Sequence, residues 1–554
     1  MSDRPPFFHT AIIPVAILLI LTGVLYASVR ISTQGPVIQS IVPAVASPGD
    51  EITISGSHFG KSRDRGHVSI AGIVPTTSGY KEWTEHRISV TVPDKVTSGL
   101  VYVVTDNGQS DGVLFTNRQN IPAVVSQSSI PGLPHIDSID PASGPPGTLI
   151  TIMGRNFGMN RGTGTVRFPW AAVNSVDPAS PATEQTSIPA LTSDYDYEGW
   201  ADQEIKVRVP DGASTGNIAV TTEKGSSNPS YFELSQVVGT KTFRDKRSYA
   251  VHYGVNVTDV KLSGGGTAGN SLYLWIPRVQ SLPAQRDIQL LTRNFDPMFE
   301  NVDGLSLYRL DNLQHGKSYS LSLSYIFDRY AVETTIAPAR VPTDYDENSE
   351  LFLTYTAPSD RIPATSEVVR NLARSIVGRN SNPYLRARNV YDYLLKTLSY
   401  DPGIEDPIEA ITQKKGNDIA YATLMTAILR NANIPARVVA GHVVDDNQQA
   451  VPHQWLEFYI ANFGWVPVDP SLPDGALEGR FTLPDGAADY YFGNLDDRHI
   501  TFSRGLLDAK RMDPNGHIAK GDQSFAVQTF AEETTGSLQS YKSVWDKLII
   551  IGVY

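Results

Sequence analysis

The sequence predicts a multidomain chain: one apolar N-terminal helix, two related all-β sandwiches, a further β-domain, and an α+β core. Three observations carry this reading. A signature in residues 36–118 returns in residues 134–235. Alternation of polar and apolar residues with period two marks the strands of the first two-thirds and gives way to helical spacing from Ser366. A single apolar run, Phe7 to Val29, has the length needed to cross a bilayer.

Composition narrows the function. The 554 residues hold 46 Lys and Arg against 58 Asp and Glu, a formal charge of −12. Such a balance argues against nucleic acid as the main partner, because phosphate binding along a duplex needs clustered positive charge. Hydrophobic residues make up 41%, enough for ordinary packed cores, and the 44 Gly and 37 Pro favour turn-rich β architecture. Cysteine is absent, which excludes disulfides, thiolate zinc sites, iron–sulfur clusters, thiol catalysis and a lipid-modified cysteine anchor.

The apolar run from Phe7 to Val29 carries one imidazole and no formal charge. It reads as an uncleaved anchor, because Leu25 stands where cleavage after Ala27 would need a small residue. Arg4 and Arg30 flank it, so the positive-inside signal is weak. The short tail before it and the large body after it place the body outside the cytoplasm, in the periplasm or at the cell surface. Tail and anchor together take residues 1–35. The terminal Leu548–Tyr554 is too short to span and reads as a strand or docking segment.

The repeat is the clearest pattern in the first half. Ile41, Pro48, Gly49, Gly56, Phe59, Gly60 and Val68 return 98 residues later as Ile139, Pro146, Gly147, Gly154, Phe157, Gly158 and Val166. Beyond them the offset becomes 117, pairing Trp83 with Trp200, Pro93 with Pro210 and Phe115 with Phe232. The second copy therefore carries an insertion of 19 residues within about Ala171 to Asp194. Strands such as Glu51–Ser55 and Glu204–Val209 alternate with period two between Gly and Pro turns, the pattern of a small sandwich. Both copies resemble the IPT/TIG immunoglobulin-like module, which implies spacers or binding surfaces without catalytic groups. Residues 119–133 are a linker, and the insertion, with Pro178, Pro181 and Pro189, reads as a surface loop. Its acidic group Asp194, Asp196 and Glu198 reads as solvated, with a bound cation as the alternative.

Residues 240–357 alternate again and read as a β-sandwich-like domain. Gly264-Gly265-Gly266 sits in a turn and not before a helix, so it is not a phosphate loop. Asp344 to Asn348 imitates the start of a calcium loop, but lacks its sixth-position glycine and would end on Tyr355 instead of Glu.

Helical spacing then sets Val368, Val369, Leu372 and Ile376 on one face, and Val390, Tyr393, Leu394 and Leu398 on another. Tyr421, Leu424, Met425, Ile428 and Leu429 describe a buried helix with Asp418 at its N-terminus, where free amides stabilise a carboxylate. Two β-like runs follow, His453 to Tyr459 and Gly464 to Pro470. His442, Asp445 and Asp446 read as a loop rim, and Trp455, Trp465 and Tyr421 as core.

Arg430, Ile434-Pro435-Ala436-Arg437, Gly441, then His453, Trp455, Glu457, then Gly464, Trp465, Asp469, Pro470 resemble the transglutaminase-like superfamily, with its papain-like core. The resemblance covers about residues 360–505 and leaves a C-terminal extension of 506–554. It implies a triad in which a thiolate at the helix N-terminus attacks an amide, a histidine moves the proton, and an aspartate holds the ring. His453 and Asp469 match the last two positions. The nucleophile position, two residues after Gly416, is Asp418. Three readings of Asp418, His453 and Asp469 follow: a vestigial triad in a binding or scaffold module, a site with Asp418 as nucleophile or general base, and a divalent metal site. The first leads, with no cofactor and no metal, and with protein, peptidoglycan or peptide ligands of a bacterial cell envelope as partners alongside the membrane.

Overall fold

The computed structural model describes residues 35–117, 132–173, 183–263, 269–302, 304–505, 512–513, 516–520 and 531–554. The expected anchor and most of the expected linker lie outside them. No helix among the described residues is long and apolar enough to cross a membrane. The chain divides into two compact units, residues 1–126 and 127–554.

The first unit is a sandwich. One sheet runs in the order Val37–Val42, Glu51–Ser57, Arg87–Thr91, Tyr80–Trp83. The other runs Val45–Ala46, Val113–Asn117, Gly99–Thr105, His67–Ile70. In the second unit, His135–Asp140, Leu149–Arg155, Glu204–Arg208 and Tyr197–Trp200 repeat the first order, so the two copies share a topology. Side-chain details repeat as well. Trp83 Nε1 donates to the Phe59 carbonyl at 2.9 Å, and Trp200 Nε1 to that of Phe157 at 3.1 Å. The glycine of the signature has a steric cause. A Cβ on Gly56 would lie 2.0 Å from the Val37 carbonyl oxygen, and one on Gly154 2.0 Å from that of His135. Each would also strike the neighbouring phenylalanine ring, Phe59 or Phe157. Gly154→Ala should therefore destabilise the second sandwich by about 1–3 kcal/mol, read as a fall in thermal midpoint. An unchanged midpoint would show that the strands can part.

The described parts of the insertion in the second sandwich include strand, where a surface loop was expected. Thr165–Val173 extends the inner strand and pairs with Thr183–Pro189, from Arg167 opposite Pro189 to Val173 opposite Thr183. Every second residue of Thr165–Val173 is buried, so period-two patterning overrides the surrounding prolines. Pro189 is accommodated at the sheet edge, where no ladder donor is required. Trp170 packs on Phe243 and Tyr330 of the next domain at centroid distances of 5.4 and 5.1 Å.

That next domain is a two-sheet sandwich. One sheet is Gln285–Arg293, Tyr319–Ile336, Gly239–Leu262, Leu538–Trp545, with Ile549–Val553 also on the long Gly239–Leu262 strand. The other is Phe299–Val302, Leu305–Asp311, Asn270–Pro277, Ala531–Gly536, His517–Lys520. His517–Lys520, Ala531–Gly536, Leu538–Trp545 and Ile549–Val553 are thus integral strands of this domain, so the described part of the expected C-terminal extension of 506–554 belongs to it. The apolar positions of the C-terminal strands complete a core begun by Tyr249, Val251 and Tyr253. The expected β-domain also ends early, since Glu350–Thr356 is a helix packed against the core that follows.

The core layers helices on a sheet ordered Gly464–Val468, Ala450–Ile460, Ala436–Val444, His499–Arg504. Its central helix, Asp418–Asn431, is buried at every position from Ala420 to Arg430. Asn417 caps it, accepting from Ala420 N at 3.0 Å. In the helix Glu367–Val377 the buried face is Val369, Ala373 and Val377, and Val368 is exposed, which shifts the expected stripe by one position.

Candidate active site

Three elements bring the site together. Gly441 pairs with His453 across the two central strands. A Cβ there would lie 1.9 Å from the Ile500 carbonyl oxygen, so glycine lets the strand His499–Arg504 close in on the far side. The helix Asp418–Asn431 points its N-terminus at the middle of Ala450–Ile460, and Gln454 N donates to Asp418 Oδ2 at 2.8 Å. Asp469 follows directly on the strand Gly464–Val468.

Asp418, His453 and Asp469 lie in one line. His453 Nε2 is 2.7 Å from Asp469 Oδ2, and His453 Nδ1 is 3.4 Å from Asp418 Oδ2, within ion-pair range. His453 and Asp469 are shut off from solvent at 2% and 0% side-chain exposure, whereas Asp418 keeps 15%. Asp469 Oδ1 accepts from Ser471 N, Ser471 Oγ and Leu472 N at 3.0, 2.9 and 3.2 Å. Trp455 lies nearly parallel to His453, at 6.2 Å and 21°. Trp455, Trp465 and Tyr421 are all buried, as core residues.

A second histidine extends the line. His499 Nε2 lies 3.2 Å from the same Asp469 Oδ2, and His499 Nδ1 lies 2.8 Å from Asp496 Oδ1. Tyr491 Oη then donates to Asp496 Oδ2 at 2.7 Å. The result is a row of alternating sign with a buried middle and half-buried ends: Asp418, His453, Asp469, His499, Asp496. The β-domain fixes its far end. Arg329 Nε donates to the His499 carbonyl at 2.5 Å, and Gln285 Nε2 to that of Thr501 at 2.8 Å.

Charge follows from this order. Burial opposes an imidazolium at His453, but the charge and hydrogen bond of Asp469, with the charge of Asp418, outweigh it and raise its pKa. At His499 burial is likewise outweighed, by Asp496 and Asp469, and the pKa rises to about 9. Burial alone would raise Asp469, yet the two imidazolium rings hold it well below the usual carboxylate range. Asp418 is raised, because its desolvation exceeds the attraction of His453.

The sequence reading missed His499, Asp496 and a further network. Arg437 is fully buried. It donates through Nη1 to Asp194 Oδ1 at 2.6 Å and through Nε to Glu457 Oε2 at 2.9 Å. Its guanidinium lies 3.6 Å from the Trp465 ring centroid. Arg504 Nη1 reaches the other oxygen of Asp194 at 3.0 Å. Asp194 and Asp196 are buried, so the expected solvated acidic group is corrected: Asp194 joins the sandwich to the core as an ion-pair partner. His442 is corrected as well, standing inside the strand Ala436–Val444 at 1% exposure and not on a rim.

A family model described as Transglutaminase-like superfamily matches residues 370–470, and one described as IPT/TIG domain matches 36–117 and 134–234. The chain carries a transglutaminase-like core preceded by two IPT/TIG domains, with no cysteine at the nucleophile position. An uncharacterised protein of Haemophilus influenzae is 25% identical over 25% of this chain and 47% of its own length. This chain thus spans about half of that curated relative. A candidate cysteine protease from Cytophaga hutchinsonii is 14% identical, covering 57% of this chain and 92% of its own, at a TM-score of 0.38. The periplasmic domain of TgpA from Pseudomonas aeruginosa is 14% identical, covering 44% and 92%, at a TM-score of 0.24.

Proposed function

We propose that the transglutaminase-like core is a non-catalytic binding or scaffold module. The IPT/TIG domains act as its spacers, and an N-terminal helix tethers it to a membrane with the body outside the cytoplasm. The observation that supports this reading is the ion pair of Asp418 with a histidine already bound to Asp469. A carboxylate is a poor nucleophile toward amides, since the anhydride it forms is higher in energy than the amide. An imidazolium flanked by two carboxylates has no free lone pair and cannot act as general base near neutral pH. Protein, peptidoglycan or peptide ligands of the cell envelope suit a core of the transglutaminase-like type, whose triad acts on amides.

Amidase, peptidase and amine-incorporation assays on glutamine peptides are expected to give no turnover. Turnover lost in Asp418→Ala would instead establish Asp418 as nucleophile or base. The variant Asp418→Cys should gain alkylation by iodoacetamide, because a thiol at a helix N-terminus beside an imidazole ionises readily. Fractionation should leave the full chain in membranes, with the residues after Ile31 open to external protease. Soluble protein beginning near Ser28 would indicate cleavage.

One observation favours a second reading, a metal site. Donor atoms of His453, Asp469 and His499 lie within 4.8 Å of one another, so a divalent ion could replace the ring protons. Saturable binding of Zn²⁺ or Ni²⁺ that is lost in His499→Gln would favour it.

A further inference from the structure

Four arginines line a cleft of about 570 Å³ on the helical side of the core. Arg370 and Arg374 stand one turn apart on the helix Glu367–Val377, Arg379 follows its end, and Arg386 rises from the helix Pro383–Thr397. No carboxylate lines the cleft; its remaining polar side chain is Asn431. None of the four makes an ion pair among the described residues, in a chain whose acids outnumber its bases by 12. The contrast with Arg388, two residues from Arg386, is direct: it pairs with both Asp392 and Asp489.

Part of this charge has an internal use. Arg386 Nη1 donates to the Ala432 carbonyl at 3.1 Å, covering the end of the central helix, and Arg370 Nη2 to that of Thr365 at 3.0 Å. Among the described residues, Arg386 Nε is nevertheless buried without a partner, and Arg374 and Arg379 are exposed with no polar partner of their own. Arg370 and Arg374, four apart, repel each other on the helix surface. Guanidinium groups around one cleft without carboxylate partners offer fork-shaped donor sets that match phosphate oxygens.

We propose that this cleft binds a compact polyanion of the oligophosphate class, either free in solution or as the phosphate headgroup of an anionic lipid. Four positive charges around so small a volume call for a ligand of several closely spaced negative charges, more than a single carboxylate supplies. The site is separate from the Asp418 row, so it stands or falls independently of the function proposed above.

The test uses the full chain in detergent and inorganic tripolyphosphate as probe, by calorimetry at low and at physiological salt. Saturable binding that weakens with salt is expected. The double variant Arg374→Glu, Arg379→Glu should weaken it at least about tenfold, whereas Arg388→Ala should leave it unchanged. Both altered arginines are exposed, and an unchanged thermal midpoint shows that the variant folds. In a second arm, vesicles containing cardiolipin, whose headgroup carries two phosphates, are compared with phosphatidylcholine vesicles. Binding to the former, displaced by tripolyphosphate, supports the proposal with a lipid source, and binding of tripolyphosphate alone supports it with a soluble one. Absence of saturable binding in both arms, or equal binding by the double variant, overturns it and leaves the arginines as helix caps.

Discussion

Replacing Arg437 by alanine is expected to destabilise the unit of residues 127–554 by about 3–5 kcal/mol, because it strands buried charge. Arg437 has no solvent exposure, and its removal leaves Asp194 to Arg504 alone and Glu457 without its partner. The packing of the guanidinium on Trp465 goes with it, so denaturant unfolding followed by tryptophan emission reads the change directly. Arg437→Lys should recover little, since a point charge cannot reach Asp194 and Glu457 together while covering the ring. The acid limb should move too. Burial pushes Asp194 up, but Arg437 and Arg504 outweigh it and hold its pKa at about 2. A depressed carboxylate contributes stability that is present above its unfolded value of 3.8 and is lost as pH falls toward 2. Without Arg437 the folded value of Asp194 moves back toward 3.8 or above it, so this acid-dependent loss should shrink. A variant with wild-type stability and an unmoved acid limb would show that the network contributes nothing.

The second large effect is expected at Asp469. Asp469→Ala removes the one anion between His453 and His499, whose rings lie 6.0 Å apart. His453 then keeps only Asp418 and His499 only Asp496, and the two buried rings face each other without their shared anion, at a cost of about 3–5 kcal/mol. The wild-type protein should show the matching pH dependence. His499 is raised from 6.5 to about 9, so its contribution is complete below 6.5 and is lost as pH rises toward 9. Asp469 is depressed, so its contribution is present above 3.8 and is lost on acidification below that value. Core stability should therefore peak between these limits. His499→Gln should flatten the alkaline side. A wild-type protein equally stable on both sides of pH 9 would contradict the charged row.

How much of this was legible in the sequence depends on distance along the chain. Asp418, His453 and Asp469 sit at the positions that the resemblance to the transglutaminase-like superfamily assigns to its triad, so the resemblance implied their meeting. His499 could not. It follows Asp469 by 30 residues and is held in place by Arg329 and Gln285 of another domain. The pair of Arg437 with Asp194 spans 243 residues, and Asp194 looked solvated because only the fold brings Arg437 and Arg504 to it. The C-terminal strands were misassigned for the same reason: Leu538–Trp545 pairs with Gly239–Leu262 across the whole intervening core. The inserted hairpin did leave a signal, the alternating Val166, Phe168 and Trp170, but its prolines argued for a loop.

The central claim is that the nucleophile position has become one end of an ion pair. Nitrogen-15 spectra of the histidine-labelled full chain test it most directly, with His453 assigned by comparison with His453→Gln. The account expects both ring nitrogens of His453 to stay protonated to a pH above the ordinary histidine value of 6.5. Asp418→Asn should lower that titration, and Asp469→Asn should lower it further. A His453 ring with one bare nitrogen at neutral pH, titrating below 6.5, would contradict the account and return the site to the chemistry of a working base.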